Sequence, residues 1–254
     1  MRNIMRMDLH RLLHSKVLYV SLAFLLIMAV SQVISGGDNV SIELLLGASG
    51  SSGEEDFLNA SMGTGVIFIL LGIILTLFVC RDYSSGFAKN IFTAHANPWD
   101  YIGGKMLSMM VTSALMLVLY SIEALLALTV SGNGIILAGG VTGLILFIVQ
   151  KWIVSCAFIA LILLINLLTR STTVGIIAGF LVATGGLTMG ITLFADNFNL
   201  DFLSSLLSFT ISGSSQLPTL TFSGIVFLQV LLTSIVWMAA CCVLSKKVLM
   251  TKDV

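Results

Sequence analysis

Residues 81–105 read RDYSSGFAKNIFTAHANPWDYIGGK. This polar stretch carries several basic residues and is flanked by apolar runs of membrane length, 63–80 before it and 106–130 after it. So placed, it reads as a loop joining two membrane spans. The rest of the chain agrees: it is 57% hydrophobic and 9% charged, with a mean hydropathy of +1.08. Soluble proteins carry about one quarter charged residues, so this chain has too little polar surface to coat a water-soluble globule. The apolar blocks are continuous rather than alternating, and there are 23 Gly but only 2 Pro. Both features favour helices over a barrel. The predicted fold is an all-α polytopic membrane protein, one transmembrane domain over 1–254.

Working outward, residues 1–16 place Met5, Leu9, Leu12 and Leu13 on one helical stripe and Arg2, Arg6, His10 and His14 on the other side, as in a helix lying on a membrane surface. His10 and His14 lack a third metal ligand, so they read as a solvated face. Residues 17–35 form the first span, read as an uncleaved anchor because the later spans need it to keep their orientation. The Gly/Ser-rich segment 36–62 holds Asp38, Glu43, Glu54, Glu55 and Asp56 and no Lys or Arg. Further spans are expected at 63–80, 106–130, 141–168, 174–194 and 223–245. The apolar segment 135–168 is too long for one upright span, so it either tilts or begins as a shallow piece. Residues 195–222 form a second outer loop, in which 202–211 reads as a short interfacial helix.

With six spans and both ends inside, Arg2, Arg6, Arg11, Lys16, Arg81, Lys89, Lys105, Arg170, Lys246, Lys247 and Lys252 all fall on one side. Basic residues resist translocation, so that side reads as the cytoplasm. Lys151 alone lies within a span. Cys80, Cys156, Cys241 and Cys242 fall in or at the ends of apolar runs, without metal-ligand or disulfide spacing, and read as buried free thiols.

Within the central stretch stand Asp82-Tyr83, Gly86, Lys89-Asn90, Ile91-Phe92, Thr93, then Tyr101-Ile102 and Gly104-Lys105 entering a span. This pattern resembles the loop between spans two and three of ABC-2 type permeases, the transmembrane subunits of bacterial ABC exporters. The amphipathic start, six spans, large outer loop and inner termini are similar too, so the resemblance covers essentially the whole chain. Where many members have Pro followed three residues later by Arg, this chain has His95 and Pro98, so the turn within the loop is expected to differ.

The resemblance implies a type V exporter-like architecture in the bacterial cell membrane. It also implies that Asp82, Tyr83, Gly86, Phe87, Lys89, Asn90, Ile91 and Phe92 supply a coupling helix that docks on a separate ATPase. That complex would hold two ATPase copies and a homodimer or close heterodimer of permeases, with ATP and Mg on the partner subunit and no cofactor on this chain. Read without the family, Gly86 permits a close turn, and Phe87, Ile91 and Phe92 make an apolar knob suited to a partner groove. The plainer reading rests these side chains on the lipid interface beside Trp99 and Tyr101.

The sequence has no G-x-x-x-x-G-K-[ST]: GASGSSG at 47–53 lacks its ending, and Gly103-Gly104-Lys105-Met106 lacks the leading Gly and the closing hydroxyl. Energy is therefore expected from a partner or from an ion gradient. Glu123 and Lys151 are the ionisable side chains well inside spans, and at ~1.5 Å per residue both sit about 25 Å above the inner boundary. The favoured reading is a clamp between spans three and four, or separate snorkelling to the outer headgroups; the sharper one is a gate or a polar spot on the substrate route. Gln150 and Asn166 either line a cleft or bond between helices, and Gly175 and Gly179 form a GxxxG that allows close helix approach.

The expected function is therefore an exporter permease. Its cargo is expected to be an amphipathic, cationic or antimicrobial-type peptide, in export or in immunity, drawn by the acidic outer loops. The alternative is an ion-coupled secondary transporter or channel using Glu123 and Lys151, which would want internal repeats that the halves do not display. No H-E-x-x-H or G-x-S-x-G motif points to a membrane enzyme, and no nucleic-acid partner is expected.

Overall fold

The computed structural model describes residues 2–36, 65–86, 97–131, 140–197, 207, 209–218 and 223–251, and all regular structure among them is helical. In chain order the elements are α1 (Arg2–Leu13), α2 (Lys16–Gly36), α3 (Val66–Ser84), α4 (Pro98–Ser131), α5 (Gly140–Thr169), α6 (Thr172–Ala183), α7 (Gly186–Asn197), α8 (Ile211–Gln216) and α9 (Gly224–Thr251). Four of them, α3, α4, α5 and α9, are long and apolar enough to cross a membrane; α1 and α2 together, bent by 53°, make up to five. Their outward faces carry Ile34, Val130 and Ile225, all more than 75% exposed. Side chains this apolar on the outside need hydrocarbon as their solvent, and the chain is a membrane protein.

The bundle is organised around α5, 67% buried along its most apolar stretch against 22% for α9, which packs along it. Phe158 of α5 stacks on Phe68 of α3 with ring centroids 5.4 Å apart, and Ser155 Oγ donates to Ser113 Oγ of α4 at 3.1 Å. Buried hydroxyl pairs of this kind hold helices together where the hydrophobic effect between them is weak.

Two expectations change on inspection. The run 174–194 is not one continuous helix, because α6 and α7 are separated at Thr184 and Gly185. Gly185 takes φ +71°, and a Cβ there would stand 3.0 Å from Ser212 Oγ of α8. A left-handed residue that closes the carbonyl end of a helix suits Gly, so the chain breaks here although its hydropathy does not. The second change concerns the polar stretch, which is helical at both ends: α3 continues through Ser84 and α4 starts at Pro98. Pro98 opens α4, where its missing N–H is harmless, and Asn97 Oδ1 accepts from the Trp99 amide at 3.3 Å.

The segment 135–168 becomes a helix at Gly140, which takes φ +63°; its start, 135–139, lies outside the described residues. So do 37–62 of the first outer loop and half of the second, including 202–206 and 208 of the expected interfacial helix, while α8 begins at Ile211 where that helix was expected to end. Cys80, Cys156 and Cys241 are buried free thiols and Cys242 is part-buried.

Candidate functional site

At the end of the bundle where α1 lies, the stripe anticipated on that helix faces inward: Leu12 is buried and Met5, Leu9 and Leu13 are part-buried, while Arg6, His10 and His14 are exposed. The His10 and His14 rings stack at 4.2 Å. Ser15 ends α1 and starts α2, its Oγ accepting from the Leu18 amide at 3.3 Å, as an N-capping Ser does. One residue on the apolar stripe is out of character. Asp8 is fully buried.

Its partners come from the two ends of the polar stretch. Lys105 Nζ of α4 donates to Asp8 Oδ1 at 3.1 Å and also meets Asp82 Oδ2 of α3. Arg11 Nη2 donates to Asp82 Oδ1 at 3.0 Å, and Arg11 Nη1 stands 3.8 Å from Asp8. Asp8, Asp82 and Lys105 have no exposed side-chain surface, and Arg11 is about a third exposed. Two carboxylates and two cations thus form a balanced, buried quartet drawn from α1, α3 and α4. The Lys105 ammonium also lies 3.7 Å from the centroid of the Phe78 ring, a contact that strengthens when desolvated.

Balance is what makes this burial tolerable, since an unpaired buried charge is costly. Asp82 sits in the last turn of α3, where the helix dipole disfavours a carboxylate, so it depends on its cations more than a surface acid would. At Asp8, burial raises the carboxyl pKa above its ordinary range; Lys105 opposes that rise, and the neighbouring Asp82 adds to it.

Other elements reach the same two ends. The Arg170 guanidinium, in the turn between α5 and α6, lies 4.9 Å from the Tyr83 ring centroid, and Lys246 Nζ of α9 lies 5.2 Å from the Trp99 ring centroid. Gly86 follows α3 with φ +70° and its amide bonds Tyr83 O at 3.2 Å. This is the close turn expected there. Of the expected coupling residues, Asp82, Tyr83 and Gly86 are thus placed; Phe87, Lys89, Asn90, Ile91 and Phe92 lie outside the described residues.

The intramembrane residues do not form one site. Lys151 is buried and donates to Ser215 O of α8, with the Phe147 ring 5.2 Å away. Glu123 faces a cleft beside α2, and its Oε2 has no hydrogen-bond partner. The two do not pair; Lys151 clamps α5 to α8 rather than to α4. Asn166 Nδ2 donates to Thr76 Oγ1 at 3.1 Å and joins α5 to α3, while Gln150 is buried with Oε1 unpartnered. The GxxxG is used within the chain: Gly179 faces Gly72 of α3, and Gly175 sits against Asn166 and Thr76.

Asp8, Arg11, Lys105, Arg170 and Lys246 are the cluster residues that sequence reasoning missed as site residues. The available signal was Asp8, an acid at helical spacing from Met5 and Leu12 on an otherwise apolar stripe. No family model matches the chain, and no curated protein matches it.

Proposed function

We propose that this chain is the membrane-embedded subunit of an ATP-driven ABC-2 type exporter, with ATP and Mg handled by a separate subunit and two copies of each in the complex. The observation that carries the reading is the buried quartet at the two ends of residues 81–105. A loop whose ends are locked by Lys105, Asp82, Asp8 and Arg11 acts as a lever. A push on its middle passes to α1, α3 and α4 together instead of being absorbed by a hinge. The contacts of Arg170 with Tyr83 and of Lys246 with Trp99 extend that path to the α5–α6 turn and to α9.

In this reading the quartet lies at the cytoplasmic face of a bacterial membrane, in line with the one-sided distribution of basic residues. Six crossings follow if α6 and α7 are taken as one broken span beside α2, α3, α4, α5 and α9. The cargo is an amphipathic cationic peptide, attracted by Asp38, Glu54, Glu55 and Asp56 outside. The test is co-purification with a soluble ATPase whose turnover changes when Gly86, Lys89 or Phe92 is substituted. Transport by the isolated chain in vesicles without nucleotide would overturn the proposal.

A further inference from the structure

Glu123 follows Lys105 on α4 by 18 residues, about 27 Å along the helix at ~1.5 Å per residue, so it lies far from the quartet. There α2 and α4 border a cleft of about 390 Å³ whose walls include Leu26, Val30 and Ile34 on one side and Ala127 and Val130 on the other. Glu123 is the one charged residue in that lining, is part-exposed, and leaves Oε2 without a hydrogen-bond partner. Among the described residues it enters no ion pair; Arg11 and Lys105 pair within the quartet, and Lys151 is bound to Ser215 O.

A carboxylate at membrane depth that no described residue pairs marks a functional position. The space beside it falls within the ~300–1,000 Å³ of small-molecule sites. A neutral lipophile would fill the walls and leave the acid unpaired, and an anion would be repelled. The complement is an apolar body carrying one cation. We propose that the cleft binds a protonated amine on an alkyl or acyl body, with Glu123 as its counter-ion, whether or not the chain acts as an exporter. The amine belongs either to a free amphiphile or to an aminophospholipid headgroup.

The test uses the full chain in phosphatidylcholine nanodiscs and a dodecylamine probe bearing a photoreactive diazirine, with the matching alcohol as control. The expected result is saturable labelling of residues 26–34 and 123–130, displaced by unlabelled dodecylamine. A charge-assisted contact is lost in Glu123→Gln, so labelling there should fall about tenfold, while Glu123→Asp keeps most of it. Ala127→Trp, which fills the cleft and retains the acid, should abolish labelling. Displacement by phosphatidylethanolamine added to the discs assigns the site to a lipid headgroup; no displacement assigns it to a free amphiphile. Equal labelling of wild type and a monodisperse Glu123→Gln, or equal labelling by the amine and alcohol probes, overturns the proposal. Should Glu123→Gln fail to fold, undiminished amine labelling in Ala127→Trp does so.

Discussion

Lys105 is the hinge of the quartet's energetics because it is the fully buried cation that meets both carboxylates, whereas Arg11 is about a third exposed and stands 3.8 Å from Asp8. Removing one member of a buried ion group leaves the others uncompensated, so Lys105→Met should lower stability by about 3–5 kcal/mol. Adding Asp8→Asn and Asp82→Asn should restore most of that loss in thermal unfolding of the detergent-solubilised chain; a triple variant no better than the single one would show that pairing is not what Lys105 contributes. Asp8 also sets a pH dependence. Its folded-state pKa is raised above the ordinary 3.8 by burial, so the folded chain binds more protons than the unfolded one between the two values. Stability relative to Asp8→Asn should therefore fall as pH rises from 3.8 through the raised value and level off above it. Arg170 is a different kind of residue, holding φ 50° while its guanidinium covers Tyr83. The left-handed conformation costs a non-glycine residue roughly 1–2 kcal/mol and an exposed cation–π contact returns about 0.5–1. Arg170→Gly should accordingly be no less stable than wild type, whereas Arg170→Ala, which keeps the strain and loses the contact, should melt lower.

At the scale of elements, α6 depends on having no side chain at Gly175. A Cβ there would stand 2.0 Å from Asn166 Oδ1 and 2.6 Å from Thr76 Cγ2, too close for either to yield without breaking the bond that joins α5 to α3. Gly175→Ala should destabilise by about 1–3 kcal/mol. Gly190→Ala in α7 meets open space, and should be neutral or slightly stabilising through helix propensity; a matched pair of thermal melts distinguishes the two. The sequence displays this GxxxG plainly and hides its partner, because period and small size say that something approaches closely but not which helix does. The same asymmetry runs through the fold. Continuous apolar runs locate α2, α3, α4, α5 and α9, since lipid demands length and hydropathy and both are local properties. The break at Thr184 and Gly185 is invisible in hydropathy, as apolar residues continue on both sides and only the backbone turn with α8 packed beside it distinguishes the site. The quartet was half legible: Asp82 and Lys105 stand out as the edges of the polar stretch, but their partners lie more than 70 residues earlier, in a helix whose charges read as solvated.

For the molecule as a whole, the convergence of α1, the ends of α3 and α4, the α5–α6 turn and the last turns of α9 fixes which parts of the chain must share one side of the membrane. Arg11, Lys105, Arg170 and Lys246 all take part in those contacts, so four of the basic residues grouped by charge alone meet the two ends of residues 81–105. Side exposure can then be tested in a cysteine-free background, made by replacing Cys80, Cys156, Cys241 and Cys242. Arg6→Cys, Ser84→Cys and Thr251→Cys introduce thiols at exposed positions on α1, α3 and α9. All three should react with a membrane-impermeant maleimide in inverted vesicles and resist it in intact cells, because the quartet joins α1 to α3 and α4 and the Lys246–Trp99 contact joins α9 to α4, leaving no route for one of them to emerge opposite the others. Asp56→Cys, in the acidic segment without Lys or Arg, should show the reverse pattern. Labelling of Arg6→Cys and Ser84→Cys from opposite sides would dissolve the quartet, since Asp8 and Asp82 cannot meet one Lys105 across a bilayer. Labelling of all three from outside intact cells would preserve the cluster and place it on the outer face, removing the lever from the reach of a cytoplasmic ATPase.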